Sequence, residues 1–79
     1  MTIEEIKKEI YDNISANNKP EGWRQGQYVF NLVNKLYNHV GRVAQFTHGV
    51  DCFYRDDKID EFIETCAKII YNSQNEQSH

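Results

Sequence analysis

Cys52 and Cys66 are the side chains with the most obvious chemistry. A Cys52 thiolate next to His39 or His48 would be a nucleophile of the kind that cysteine hydrolases use. The sequence contains no ordered histidine–carboxylate arrangement to accompany them, and an isolated cysteine is more commonly a small buried residue. We therefore predict that both cysteines are reduced thiols of the core and that the protein is not an enzyme.

A metal site could draw on five side chains. Structural zinc sites normally use two closely spaced pairs of ligands, and Gly49 separates His48 from Cys52. There is also no glycine-rich phosphate loop, because no glycine precedes a Lys-Ser or Lys-Thr pair. We expect neither a metal nor a cofactor. The five candidate ligands are His39, His48, Asp51, Cys52 and Cys66.

Residues 51–64 carry six acidic and two basic side chains, a net charge of −4. Their spacing lacks the alternating ligands and central glycine of a calcium loop. One interpretation is that Asp56 or Asp57 caps the last helix while the remaining carboxylates form a solvated face. The alternative is an acidic docking surface for a basic partner. The first interpretation is favoured.

Polar residues recur at three- and four-residue spacing from Arg24, which indicates one face of a helix. A solvated face is favoured over a hydrogen-bonding surface. We predict that the Arg24 guanidinium pairs with Asp51 or Asp56 and so holds the aromatic loop, residues 51–54, against this helix. The candidate binding residues are Arg24, Gln27, Asn31, Asp51, Tyr54 and Asp56.

Hydrophobic spacing predicts the helices that position these side chains. Isoleucines from Ile3 to Ile14 form one helical stripe, Thr2 and Glu5 match a capping box, and residues 17–22 read as a loop. A second helix is predicted over residues 23–38, in which Gly26 indicates the close approach of another group.

The remaining helices follow after a bend assigned to Gly41. A short helix is predicted over residues 40–48 and ends at Gly49 in a left-handed conformation. A final helix precedes a polar tail, residues 73–79, which we predict to be disordered. The expected fold is one all-α domain, residues 1–72, with three main helices and one short helix.

The composition restricts the function. The 79 residues have a net charge of −3 and no run of about 20 apolar residues, so no membrane span is expected. The N-terminus lacks a signal-like apolar run, which favours a cytoplasmic protein. Aromatic residues make up 13% of the chain, more than a small core readily hides, and a homodimer is therefore one expectation.

Three short helices with a glycine bend also permit a nucleic-acid-binding regulator of the helix-turn-helix type. In that fold the last helix would read the DNA. Its first turns, however, carry the acidic residues Asp60, Glu61 and Glu64, which would repel phosphates. We therefore predict no specific binding to duplex DNA.

Two stretches form a recognisable pair. Residues 24–31 fit R-x-G-Q-x-x-F-N, and residues 51–62 fit D-x-F-Y-x-D-x-x-I-x-x-F. Together they resemble a group of small bacterial and phage-type helical proteins that has no assigned catalytic role. The resemblance implies an intracellular helical protein. The sequence as a whole predicts a cytoplasmic, non-enzymatic protein-interaction module, with an accessory role in a phage or mobile element as the biological setting.

Overall fold

The computed structural model describes residues 1–77, with side chains described to residue 74. This part of the chain is helical and contains no strand, which confirms the predicted all-α class. Three longer helices and one short helix are present, as expected. The helices are α1 (Ile3–Ala16), α2 (Gln25–Leu36), α3 (Val40–Thr47) and α4 (Ile59–Gln77), with a single 3-10 turn at Asp56–Lys58.

Helix α1 begins at the predicted capping box. The Glu5 amide donates to the Thr2 hydroxyl at 3.1 Å, and the Thr2 amide donates to the Glu5 carboxylate at 2.8 Å. The backbone N–H of Thr2 is the main reason that the pKa of Glu5 is lowered. Ile6 and Ile10 of this helix are completely buried, so the isoleucine stripe faces the core as its spacing predicts.

Helices α1 and α4 pack against each other in antiparallel directions. The amino group of Met1 contacts the Gln74 side chain near the end of α4, and the Tyr11 hydroxyl donates to Asp60 near its start at 2.6 Å. Helix α4 also packs against α3, while α2 packs against α3 and the 3-10 turn. The main buried side chains are Ile6, Ile10, Val29, Phe30, Val33, Ala44, Cys52, Phe62, Ile63, Cys66, Ala67 and Ile70.

The bend between α2 and α3 was predicted at Gly41 but lies at His39. His39 makes the turn in the left-handed conformation, with φ of 64°. Gly41 lies inside α3, where a Cβ atom would stand 2.8 Å from Asn34 Oδ1 and 3.0 Å from Phe62 Cζ. Its missing side chain therefore lets α3 approach both α2 and α4.

The ends of α3 and α4 test two further predictions. Gly49 follows His48, the C-cap residue of α3, and is left-handed, with φ of 68°, which confirms its role as a terminator. Helix α4 continues to Gln77, five residues past residue 72, the predicted end of the helical domain. Residues 78–79 of the predicted tail lie outside the described residues. Within residues 1–77, no helix combines the length and apolar character needed to cross a bilayer.

Candidate functional site

The two sequence motifs meet at Gly26, Cys52 and Asp56, which we call the clasp. The Gly26 amide donates a 2.9 Å hydrogen bond to Asp56 Oδ1, and the Cys52 thiol donates to the Gly26 carbonyl at 3.3 Å. A Cβ atom on residue 26 would stand only 1.9 Å from the Cys52 carbonyl oxygen. The predicted close approach at Gly26 is therefore confirmed, and the neighbour is the backbone of the aromatic loop.

Asp56 caps α2 rather than the last helix. Gly26 is the second residue of α2, and its N–H is one of the amides that a helix start leaves without an intrahelical partner. Arg24, at the N-cap position, supplies no side-chain hydrogen bond to the free amides of the helix start. Asp57 forms an exposed bidentate pair with Arg55. The prediction that Asp56 or Asp57 caps α4 is thus corrected, because the Asp56 carboxylate is used by a helix thirty residues earlier.

Arg24 holds the aromatic loop by other contacts than those predicted. Its guanidinium lies 5.4 Å from the centre of the Tyr54 ring and donates a long, 3.5 Å hydrogen bond to the Phe53 carbonyl. Among the described residues it forms no ion pair with Asp51 or Asp56. The predicted arginine–aspartate pair is therefore wrong: Asp56 is directed at the Gly26 amide, and Asp51 at Gln45 and the Phe53 amide.

Asp51 shapes the aromatic loop from within. One carboxylate oxygen accepts the Phe53 amide at 2.8 Å, which is a local turn, and the other accepts the Gln45 side chain at 2.8 Å. Phe53 then stacks edge-on against the Phe30 ring at 5.5 Å. The loop is thus fastened to α3 through Gln45 and to α2 through Phe30.

The two thiols are unpaired and completely buried, which confirms that they are core residues. Burial raises the pKa of each thiol to about 12, and the nearby Asp51 carboxylate contributes at Cys52. A thiol with such a pKa stays protonated near neutral pH and is a poor nucleophile. Among the side chains that the structure describes, no three potential ligands come together around a metal position.

Exposed aromatic side chains line a groove between α3 and the aromatic loop. Phe46 is 80% exposed and Tyr54 is 72% exposed. The Tyr54 ring packs edge-on against Phe53, with ring centres 4.8 Å apart. We call this feature the aromatic groove, and its lining consists of Phe30, Arg42, Gln45, Phe46, Phe53 and Tyr54.

The structure separates the six predicted binding residues. Tyr54 lines the aromatic groove, with Arg24 over its ring, whereas Asp51 and Asp56 are held in hydrogen bonds that shape the loop and the clasp. Gln27 is half-buried in the first turn of α2. Asn31 is exposed and lines a different groove, with Asn17, Asn18, Pro20, Trp23, Tyr28, Leu32 and Lys35.

Phe46 and Arg42 were missed at the sequence level. The helical period of α3 contains the missing signal, because Phe46 is two residues from the buried Ala44 and so points to the opposite side of the helix. A large aromatic residue on the outer face of a short helix indicates a surface contact rather than a core position.

No protein-family model, curated protein or solved structure significantly matches this chain.

Proposed function

We propose that this protein is a small, non-enzymatic protein-interaction module that binds its partner through the aromatic groove. The observation that carries the proposal is the pair of exposed rings, Phe46 and Tyr54, in one concave surface. Aromatic and arginine side chains are enriched among the residues that dominate binding energy at protein interfaces. The groove contains both kinds, because Arg42 lines it together with Phe46 and Tyr54.

Exposure of Phe46 has an energetic cost that binding would recover. A fully buried phenylalanine is stabilised by about 1.5–3 kcal/mol relative to an exposed one. In the free chain most of the Phe46 surface faces water. The groove floor is firm, because Phe30 is buried and Phe53 is tied to Asp51 and Phe30. A partner would therefore meet a surface that needs little reorganisation.

The buried thiols and the sequence bear on the chemistry and the cellular setting of this protein. The protonated, buried thiols support a role without covalent catalysis, and no cofactor is part of the proposal. A cytoplasmic location and an accessory role in a phage or mobile element rest on the sequence and on the motif resemblance. A homodimer remains a subsidiary proposal that depends on what occupies the groove.

Comparative capture tests the proposed function. The tagged chain and its Phe46→Ser variant would be incubated with lysate of the source organism, and bound proteins quantified by mass spectrometry. Val43→Ser is the matched control, because Val43 is an exposed apolar residue of the same helix that does not line the groove. We expect a partner bound by the parent and the control and lost from Phe46→Ser. Equal capture by all three proteins would refute the groove as the binding site.

The alternative function, a nucleic-acid-binding regulator, is less well supported. The predicted reading helix, α4, exposes Asp60, Glu61 and Glu64 near its start, close to Asp56 and Asp57. Phosphates would be repelled by this surface. A sequence-dependent mobility shift with duplex DNA at moderate salt, with submicromolar affinity, would favour the regulator over the interaction module.

A further inference from the structure

We infer that the aromatic groove binds an acidic peptide segment that inserts a large apolar side chain between Phe46 and Tyr54. This inference rests on the proposed function and specifies the chemistry of its partner. The groove is lined by the apolar rings of Phe30 and Phe53 and by the cationic Arg42. A second cation, Arg24, lies over the ring of the lining residue Tyr54. A matching segment therefore needs an apolar anchor and negative charge next to it.

Arg42 and Arg24 form no ion pair in the part of the chain that the structure describes. Arg42 lines the groove, and Arg24 lies over the Tyr54 ring. Among the side chains of residues 1–74, neither arginine forms an ion pair with a carboxylate, whereas Arg55 is paired with Asp57 at 2.9 Å. Two uncompensated guanidinium groups beside exposed aromatic rings favour carboxylates on the bound segment.

The negative charge of this protein lies elsewhere. No carboxylate of the described residues lines the groove, and Asp51, which adjoins it through Gln45, has both oxygens engaged by hydrogen bonds. The acidic surface is formed by the 3-10 turn and the start of α4. A basic segment would therefore meet like charges at the groove, while an acidic one would meet opposite charges.

The same charges disfavour two other occupants. A second copy placed by two-fold symmetry would bring Arg42 towards the partner copy's equivalent arginine, and like charges in an interface reduce affinity. A single-stranded nucleic acid could stack on Phe46 and Tyr54, but such sites also track the backbone with a positively charged groove. Among the described residues, Arg42 is the cation that lines this groove and Arg24 lies over the Tyr54 ring, which is too short a run of positive charge to follow a nucleic-acid backbone.

Selection from a random peptide library displayed on phage provides the test. The full chain would be immobilised, and enriched peptides would be synthesised and titrated against the parent, Phe46→Ser and Val43→Ser. Arg42→Gln removes one charge and leaves the Arg42 amide free to keep its hydrogen bond to Asn34. We expect groove-dependent peptides with a large apolar residue flanked by Asp or Glu. Their affinity should fall more than about tenfold in Phe46→Ser and roughly three- to tenfold in Arg42→Gln.

The outcomes separate this inference from the function on which it rests. Peptides that depend on Phe46 but are neutral or basic would overturn the acidic partner and leave the interaction module intact. Failure to recover any Phe46-dependent peptide would overturn both. A dimer in sedimentation that Phe46→Ser dissociates would instead identify a second copy as the occupant. Phe46-dependent binding of a fluorescent oligothymidine would identify a nucleic acid, and either result would refute the acidic peptide.

Discussion

The Cys52 carbonyl oxygen occupies the space that a side chain on Gly26 would need, 1.9 Å from the ideal Cβ position. The Cys52 thiol donates to the carbonyl of the same glycine. These two contacts join the start of α2 to the aromatic loop, which is separated from it by the whole of α2 and α3. The paired motifs therefore act first as a structural connection, and they hold Phe53 and Tyr54 in place beside Phe46.

Gly26→Ala is expected to destabilise the fold by roughly 2–4 kcal/mol, because the new methyl group cannot coexist with the Cys52 carbonyl. In an unobstructed helix the same change would stabilise by up to about 1 kcal/mol, so the sign of the effect is diagnostic. Urea denaturation measures it, with Gln25→Ala, an exposed neighbour in α2, as the control. Unchanged or increased stability of Gly26→Ala would show that the backbones are not in contact.

Asp56→Ala should cost about 1–2 kcal/mol, since the Gly26 amide loses its cap. Asp57→Ala should cost no more than about 1 kcal/mol, because it removes only an exposed pair with Arg55. Asp56→Asn, whose side-chain oxygen still accepts a hydrogen bond, should recover part of the loss. Equal melting temperatures for the two alanine variants would contradict the assignment of Asp56 as the cap of α2.

Arg24→Ala should lower the free energy of unfolding by no more than about 1 kcal/mol. The arginine is exposed, its hydrogen bond is long, and a cation–π contact at an exposed site contributes about 0.5–1 kcal/mol. A buried arginine–aspartate pair would have cost about 3–5 kcal/mol to break. Thermal melting distinguishes these cases. A loss of about 3–5 kcal/mol would indicate that Arg24 does form the buried ion pair with an aspartate that the sequence suggested.

Stability should decrease in alkaline solution because of the buried thiols. Burial raises the pKa of Cys52 and Cys66 to about 12, whereas cysteine in an unfolded chain ionises at about pH 8.5. Above that pH the unfolded chain releases these protons and the native chain keeps them. The contribution is therefore fully present below about pH 8.5 and is lost as the pH rises towards 12, by roughly 1 kcal/mol per pH unit for each thiol.

Denaturation midpoints between about pH 8 and pH 9.5 test the thiol contribution. Cys66→Ala removes one of the two ionising groups, so its stability should fall less steeply with pH than that of the parent. Burial and the Asp60 hydrogen bond raise the pKa of Tyr11 to about 12. Tyr11 therefore also causes stability to fall as the pH rises, but at higher pH, and it is unchanged in this variant. Identical slopes for both proteins would show that Cys66 is not protected in the native state.

The sequence predicted a helix well where both its cap and its apolar stripe lie within the helix and its adjacent residues. The Thr2–Glu5 capping box and the isoleucine stripe fixed α1 within its observed limits. The caps of α2 and α3 could not be predicted in this way, because they come from distant residues. Asp56 caps α2 at Gly26, and Asn34 Oδ1 accepts the Arg42 amide in the first turn of α3. A capping rule that reads only adjacent residues cannot detect such partners.

The candidate site could be predicted only in part, because its contacts also join residues that are distant in the sequence. Arg24 was correctly expected to contact the aromatic loop, but its contacts are the Tyr54 ring and the Phe53 carbonyl. The choice between these and an aspartate depends on where the two backbones come to lie, which only the tertiary fold determines. Phe46 and Tyr54 line the same groove because α3 and the aromatic loop become neighbours on folding. The outward position of Phe46 could, however, be predicted from the helical period.

The most direct test of the central claim is the affinity of folded Phe46→Ser for the peptide or partner that the parent chain binds. Because Phe46 is 80% exposed, the variant should melt within a few degrees of the parent, as surface substitutions usually do. Its affinity should nevertheless fall more than about tenfold, while Val43→Ser keeps the parent affinity. Parent-like binding by a fully folded Phe46→Ser would contradict the aromatic groove as the functional surface of this protein.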